Sequence, residues 1–173
     1  MKIDVNTLEY KRLTIDSIPL ILEVQEEAFA YANGNTDFLR RNTYETLAPC
    51  FDGDSIVLGA FSGETLVAFG ILFVAGNGSE NLAKDVERID DILTSANVKL
   101  VIVRPDYRGN GLQRELVKKL EDSAKDMGYA WLCATVAPTN NWSYDNFIKS
   151  GFELDKILVK YGGLTRALLV KKI

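Results

Sequence analysis

Histidine is absent from this chain. Its absence removes Ser-His and Cys-His nucleophile pairs, histidine-ligated metal sites and histidine general bases together. Any base must be a carboxylate, a perturbed lysine or tyrosine, or water. Cysteine is scarce: Cys50 and Cys133 stand far apart and in no metal-like spacing, which argues against a disulfide framework and for two buried thiols. Long apolar runs are missing too. The longest, Leu66 to Ala75, falls short of the ~20 residues a spanning helix needs. Met1 to Leu13 is polar and charged rather than signal-like, so the expectation is a cytoplasmic protein without a membrane partner. Two phosphate fingerprints are also lacking: there is no Gly-x-x-x-x-Gly-Lys-Ser/Thr, and Gly109-x-Gly111 has no third glycine.

What is present fits a globular α/β chain. Its 173 residues, 47% hydrophobic and 25% charged, suit one domain over residues 1–173 with a substantial core. The organising stretch runs from Val98 to Gly128. Val98 to Val103 reads as a buried strand, Arg104 to Gly111 as a glycine-punctuated turn, and Leu112 onward as an amphipathic helix. Leu112, Leu116, Val117 and Leu120 share one helical face, and Gly128 sits where a helix end favours a left-handed residue.

Such a strand, turn and helix make an anion site. The first helical turn leaves backbone N–H groups unpaired and carries the positive end of the helix dipole. Gly109 and Gly111 let the backbone approach a phosphate closely. From Arg104 to Lys119, five basic residues face two acidic ones in a chain of net charge -4. A basic island on an acidic protein suits a phosphorylated small ligand better than a nucleic acid.

Elsewhere the reading is coarser. Tyr10 to Ile15 reads as a strand, followed by a helix capped by Asp16 or Ser17 with Pro19 in its first turn and Ile18, Ile21, Leu22, Gln25 and Phe29 along one side. A second helix is expected from Thr36 to Leu47. Residues 55–61 and 65–74 form a clear hairpin about Ser62-Gly63-Glu64. The spacing of Leu82, Val86, Ile89, Ile92 and Leu93 predicts a helix from Glu80 to Ser95, its acidic outer face either solvated or turned to a cationic ligand. Tyr129 to Val136 predicts a strand, and two more flank Tyr161-Gly162-Gly163. The order gives a mixed α/β sheet flanked by helices.

The turn Arg108-Gly109-Asn110-Gly111-Leu112-Gln113 resembles the signature loop of the GNAT superfamily of N-acetyltransferases, Arg/Gln-x-x-Gly-x-Gly/Ala, with Gln113 in place of the last small residue. Pro138, Asn140, a helix and Gly151-Phe152 resemble its later block, Asn140 standing eleven residues before Gly151. The resemblance covers the C-terminal half and implies the GNAT-like acyl-CoA N-acyltransferase fold. It further implies acetyl-CoA as cosubstrate, with no metal, and direct acetyl transfer to a primary amine on a small molecule or peptide, by a monomer or homodimer.

By that resemblance the pyrophosphate lies on the amides of Arg108, Gly109, Asn110, Gly111, Leu112 and Gln113, near Arg114, and the pantetheine arm pairs with Val101, Ile102 and Val103. Asn140, Ser143 and Phe147 border the thioester; Arg104, Arg114 and Lys118 can reach the ribose phosphate. Tyr31, Asn33, Asp37 and Tyr44 belong to the acceptor pocket. Phe147 stands where many relatives carry a tyrosine that protonates the departing thiolate, which leaves Tyr144 and Tyr161 as candidate acids. The base is open among Glu26, Glu27 and Glu64. Two other readings stay open, a CoA-binding regulatory or interaction module without turnover and an unrelated α/β phosphate binder.

Overall fold

The computed structural model describes residues 1–32 and 38–173. Strands β1 (Glu9–Arg12), β2 (Ile56–Ser62), β3 (Thr65–Phe73), β4 (Ser95–Val103), β5 (Trp131–Val136), β6 (Glu153–Lys160) and β7 (Leu164–Lys172) form one sheet in the order β1-β2-β3-β4-β5-β7-β6. Neighbours are antiparallel except β4 and β5. Four α-helices are described: α1 (Ile18–Tyr31), α2 (Tyr44–Leu47), α3 (Leu112–Asp126) and α4 (Asn141–Lys149). The mixed sheet flanked by helices is thus as the sequence suggests.

Alternation along β3 decides which helix lies on which face. Phe69 and Ile71 pack with Ile18, Ile21 and Val24 of α1, whereas Leu72 joins Val117 and Leu120 of α3. Gly70 points the same way as Leu72: a Cβ there would lie 3.1 Å from Leu120 Cδ1 and 3.6 Å from the Leu116 Cβ. The missing side chain lets α3 lie close on the sheet. Leu116 and Leu120 are fully buried, each worth about 1.5–3 kcal/mol of transfer free energy. On the other face, the buried guanidinium of Arg104 donates to Leu66 O at 2.6 Å and pairs with Glu23 (2.8 Å) and Glu27, tying α1 to the end of β4. Cys50 and Cys133 are both fully buried; burial raises the Cys50 thiol and pushes Cys133 up to about 12.

Two expected helices are not formed as read. Residues 38–43 are non-helical and only the short α2 follows. The buried Gln25 side chain takes both backbone groups of Asn42, its Nε2 donating to Asn42 O at 3.0 Å and its Oε1 accepting the Asn42 N–H at 2.8 Å, which holds this segment off the helical path. Residues 36 and 37 lie outside the described part. Between Glu80 and Ser95 stand two single 3₁₀ turns, Leu82–Asp85 and Ile92–Thr94. Asn81 Oδ1 accepts the Ala83 N–H and Asp91 Oδ1 the Leu93 N–H, each at 2.9 Å. Local side-chain acceptors have replaced a helical ladder. The apolar residues are buried all the same, Leu82, Val86 and Ile89 packing on Cys133, Leu168 and Val170. The first strand ends at Arg12 rather than Ile15, and α1 starts after a 3₁₀ turn with Ser17 making no side-chain cap bond.

α3 is fastened to β7 by Glu121, which accepts from Lys171 (2.6 Å) and pairs with Lys125 (2.9 Å). Burial alone would raise this carboxyl, but the hydrogen bonds from Lys171 and Lys125 outweigh it and hold Glu121 below the ordinary range. A depressed carboxyl stabilises the fold above its unfolded value, about 4.3, and that contribution is lost as pH falls through the folded value. Denaturant titrations at stepped pH are expected to show the Glu121→Gln variant losing less stability than wild type on acidification below about pH 4.3. Parallel acid limbs would rule this out.

Candidate active site

The parallel pairing of β4 with β5 is short. It runs through Ser95↔Trp131, Ala96↔Leu132 and Asn97↔Cys133 and then stops, although β4 continues to Val103 and β5 to Val136. Just past that point the β3–β4 register shifts between Ile71 and Leu72, leaving Lys99 unpaired with β3. Such a bulge bends its strand, and beyond it the two strands part. A cleft of about 1240 Å³ opens between them.

The edge of β4 that faces the cleft carries backbone groups that no strand among the described residues meets. The Arg104 N–H donates to Val67 O at 2.9 Å, so by alternation Ile102 also turns its N–H and C=O toward β3. Val101 and Val103 turn theirs into the cleft. Val103 O accepts from Arg108 Nε at 3.3 Å, as that direction requires. An extended ligand with amide groups could add itself here like a strand.

At one end of the cleft lies the first turn of α3. Gly109 and Gly111 both have φ of 80°, and Gly111 is the N-cap, with no side chain to accept from the helix amides. The N–H groups of Leu112, Gln113 and Arg114 therefore end without an intrahelical partner. Asn110 faces away. Its Oδ1 accepts the Ile3 N–H at 3.0 Å and its Nδ2 donates to Met1 O and Tyr107 O, both at 2.9 Å, which fixes the loop from outside. Burial pushes the Arg108 guanidinium below its ordinary value, yet an arginine keeps its charge; it lies 4.8 Å from the Tyr31 ring centre.

The family model "Acetyltransferase (GNAT) family" matches residues 19–152. The chain belongs to this family. Solved structures share the GNAT fold. A ribosomal-protein-alanine N-acetyltransferase from Brucella melitensis is 19% identical, with a TM-score of 0.72 over 96% of this chain and 100% of its own. The PaiA N-acetyltransferase from Thermoplasma acidophilum, in complex with coenzyme A, is 19% identical, with a TM-score of 0.69 over 96% and 99%. YncA from Salmonella typhimurium, with its cofactor acetyl-CoA, is 16% identical, with a TM-score of 0.69 over 96% and 94%. No curated protein sequence matches.

Against this GNAT frame, the cleft gathers Val101, Ile102, Val103, Arg108, Gly109, Gly111, Leu112, Gln113, Asn140, Ser143, Phe147 and Tyr161. Ile102 differs from its neighbours in spending its backbone on β3, opposite Phe69, and its side chain on the α1 face. Gln113, the departure from the family loop, does not project into the anion site: its Nε2 donates to Ser143 Oγ at 3.2 Å and its Oε1 accepts from Asn146 at 3.4 Å. It ties α3 to α4 instead. Asn140 caps α4, its Oδ1 accepting the Ser143 N–H at 3.3 Å. Phe147 is buried, edge-on to Phe152 at 5.0 Å between ring centres.

Several sequence candidates lie elsewhere. Tyr144 packs against the apolar cluster under α4 and does not line the cleft, because one residue beyond Ser143 is a rotation of about 100° around the helix. Arg114 and the Asn110 side chain are also outside the lining. Arg104 is engaged by Glu23, Glu27 and Leu66 O, and neither Arg104 nor Glu27 lines the cleft. Lys118 pairs with Asp122, Glu26 with Arg41, and Glu64 sits in the β2–β3 turn; none lines the cleft. Tyr31 does, and Tyr44 does not. Asn33 and Asp37 lie outside the described residues.

The cleft also collects residues the sequence did not single out. Glu80 is the carboxylate of the lining among the described residues, its Oε1 3.1 Å from Lys99 Nζ. Buried Asn97 holds it in place, donating to Glu80 O at 2.8 Å and accepting the Leu82 N–H at 3.3 Å. Arg40, Thr135 and Arg166 also line the cleft. The Tyr161 hydroxyl meets Thr135 Oγ1 at 2.8 Å, and Tyr161 is non-glycine at φ 54°. Residues so far apart in sequence leave no local signal.

Proposed function

We propose that this chain, as one domain, transfers the acetyl group of acetyl-CoA to a primary amine by direct attack of the neutral amine on the thioester. The observation that carries the reading is the opening between β4 and β5, which joins a strand edge of unpaired amides to an uncapped helix N-terminus. A ligand with a pyrophosphate at one end and an amide-bearing arm fits that combination of donors and acceptors. PaiA with coenzyme A and YncA with acetyl-CoA support it by shared fold.

In this reading the pyrophosphate rests on the amides from Gly109 to Arg114, Val101 and Val103 pair with the arm, and Arg108 exchanges Val103 O for the ligand. Asn140, Ser143 and Phe147 border the thioester. A strand amide from Val101 or Val103 stabilises charge developing on the carbonyl oxygen. The C–N bond forms as the C–S bond breaks. Glu80 takes the proton the amine loses, directly or through water, and Tyr161 supplies one to the departing thiolate. Holding both reactants together can contribute about 7–11 kcal/mol, against roughly 10²- to 10⁴-fold from proton transfer, so activity does not require a tyrosine at Phe147.

Release of free CoA from acetyl-CoA across an amine panel tests this. Amine-dependent release is expected. CoA binding without release by any amine would overturn the enzyme reading in favour of a binding module.

A further inference from the structure

We infer that the amine accepted by this cleft also carries a carboxylate, received by Arg40. This rests on the transfer reading above and narrows its acceptor. Among the described residues, the lining holds Arg40, Lys99, Arg108, Lys160 and Arg166 as cations against the single carboxylate of Glu80, in a chain whose net charge is -4. The described part of the lining is cationic in an anionic chain.

Three of those cations have identified work. Lys99 pairs with Glu80 at 3.1 Å and Lys160 with Asp85 at 2.6 Å, while Arg108 lies over Tyr31 at the α3 end. Arg166 is buried and donates to Thr165 O at 2.9 Å, so it too is engaged. Arg40 is different. It is exposed and its guanidinium lies 4.2 Å from the centre of the Tyr161 ring; none of the ion pairs among the described residues involves it. Stacking on a ring face leaves the in-plane N–H fork available, and that fork matches a carboxylate with two parallel hydrogen bonds.

The platform beneath Arg40 is itself fixed. Tyr161 keeps a left-handed backbone that glycine would adopt more readily, between Lys160 and two glycines, and its hydroxyl is tied to Thr135. A non-glycine residue persists in that region where its surroundings over-determine it. An acidic amine would thus meet Arg40 with its carboxylate and Glu80 with its amine. A polycation would meet one carboxylate among the described residues of the lining, and Arg40 would repel it.

Calorimetry on the CoA-loaded protein tests this with matched pairs, β-alanine against β-alaninamide and aspartyl or glutamyl dipeptides against their amides, and with spermidine as a cationic control. Acids are expected to bind roughly 10- to 100-fold more tightly than their amides, the worth of a charge-assisted contact. Arg40→Gln should erase most of that difference and leave CoA affinity unchanged. Equal binding of acids and amides, no binding by any acid, preference for spermidine, or discrimination that survives Arg40→Gln would each overturn the inference. Failure of the wild-type protein to bind CoA would remove the transfer reading and this one with it.

Discussion

Gly111→Val is expected to weaken CoA binding by at least about 100-fold, the worth of two charge-assisted amide contacts, in a protein that still folds. The argument turns on conformation rather than space. A Cβ at Gly111 would meet only Arg114 Nη2, at 3.4 Å, and the end of that flexible side chain can move. The obstacle is the φ of 80°, where a β-branched residue is strained by about 1–2 kcal/mol. The loop can relieve that strain by leaving the left-handed region, and the amides of Leu112 and Gln113 then no longer point at a common centre. The fold loses little, so the melting temperature should fall by roughly 2–8 °C. Wild-type CoA affinity in this variant would place the diphosphate elsewhere.

The second large effect is structural. Asn81→Leu should lower stability by about 3 kcal/mol through buried groups left without partners, a drop of roughly 6–12 °C in melting temperature. Asn81 is almost wholly buried. Its Nδ2 donates to Gly76 O (2.8 Å) and Ile92 O (3.0 Å), while its Oδ1 accepts from the Ala83 N–H (2.9 Å) and Ser95 Oγ (3.2 Å). One amide therefore holds both ends of the 76–95 segment to β4. Because Glu80 precedes it, acceptor KM should rise while CoA affinity stays within about twofold, additivity holding between distant sites. A variant as stable as wild type would show that the segment is held by its apolar contacts alone.

These variants also mark what could be read in the sequence. The glycine loop, the apolar face of α3, the β2–β3 hairpin and the Asn140 cap were legible because each depends on neighbours a few residues away. The 80–95 segment misled because its apolar spacing was right and its hydrogen bonding was not visible: Asn81 chooses partners on both sides of the segment. Residues 38–43 misled through Gln25, whose side chain pairs with Asn42 across 17 positions. Arg104 looked like a phosphate ligand from its local charge, but its carboxylates lie 77 and 81 residues away. Tyr144 lies outside the cleft lining, packed on the apolar cluster under α4.

The sealed thiols carry a practical corollary. With Cys50 and Cys133 both closed to solvent, disulfide reagents that develop colour with sulfhydryls should find nothing on the native polypeptide and two groups per chain once it is denatured. Copies of the folded molecule should not crosslink on standing in air. Any rapid colour in a reaction mixture then originates from the liberated coenzyme, not from the catalyst.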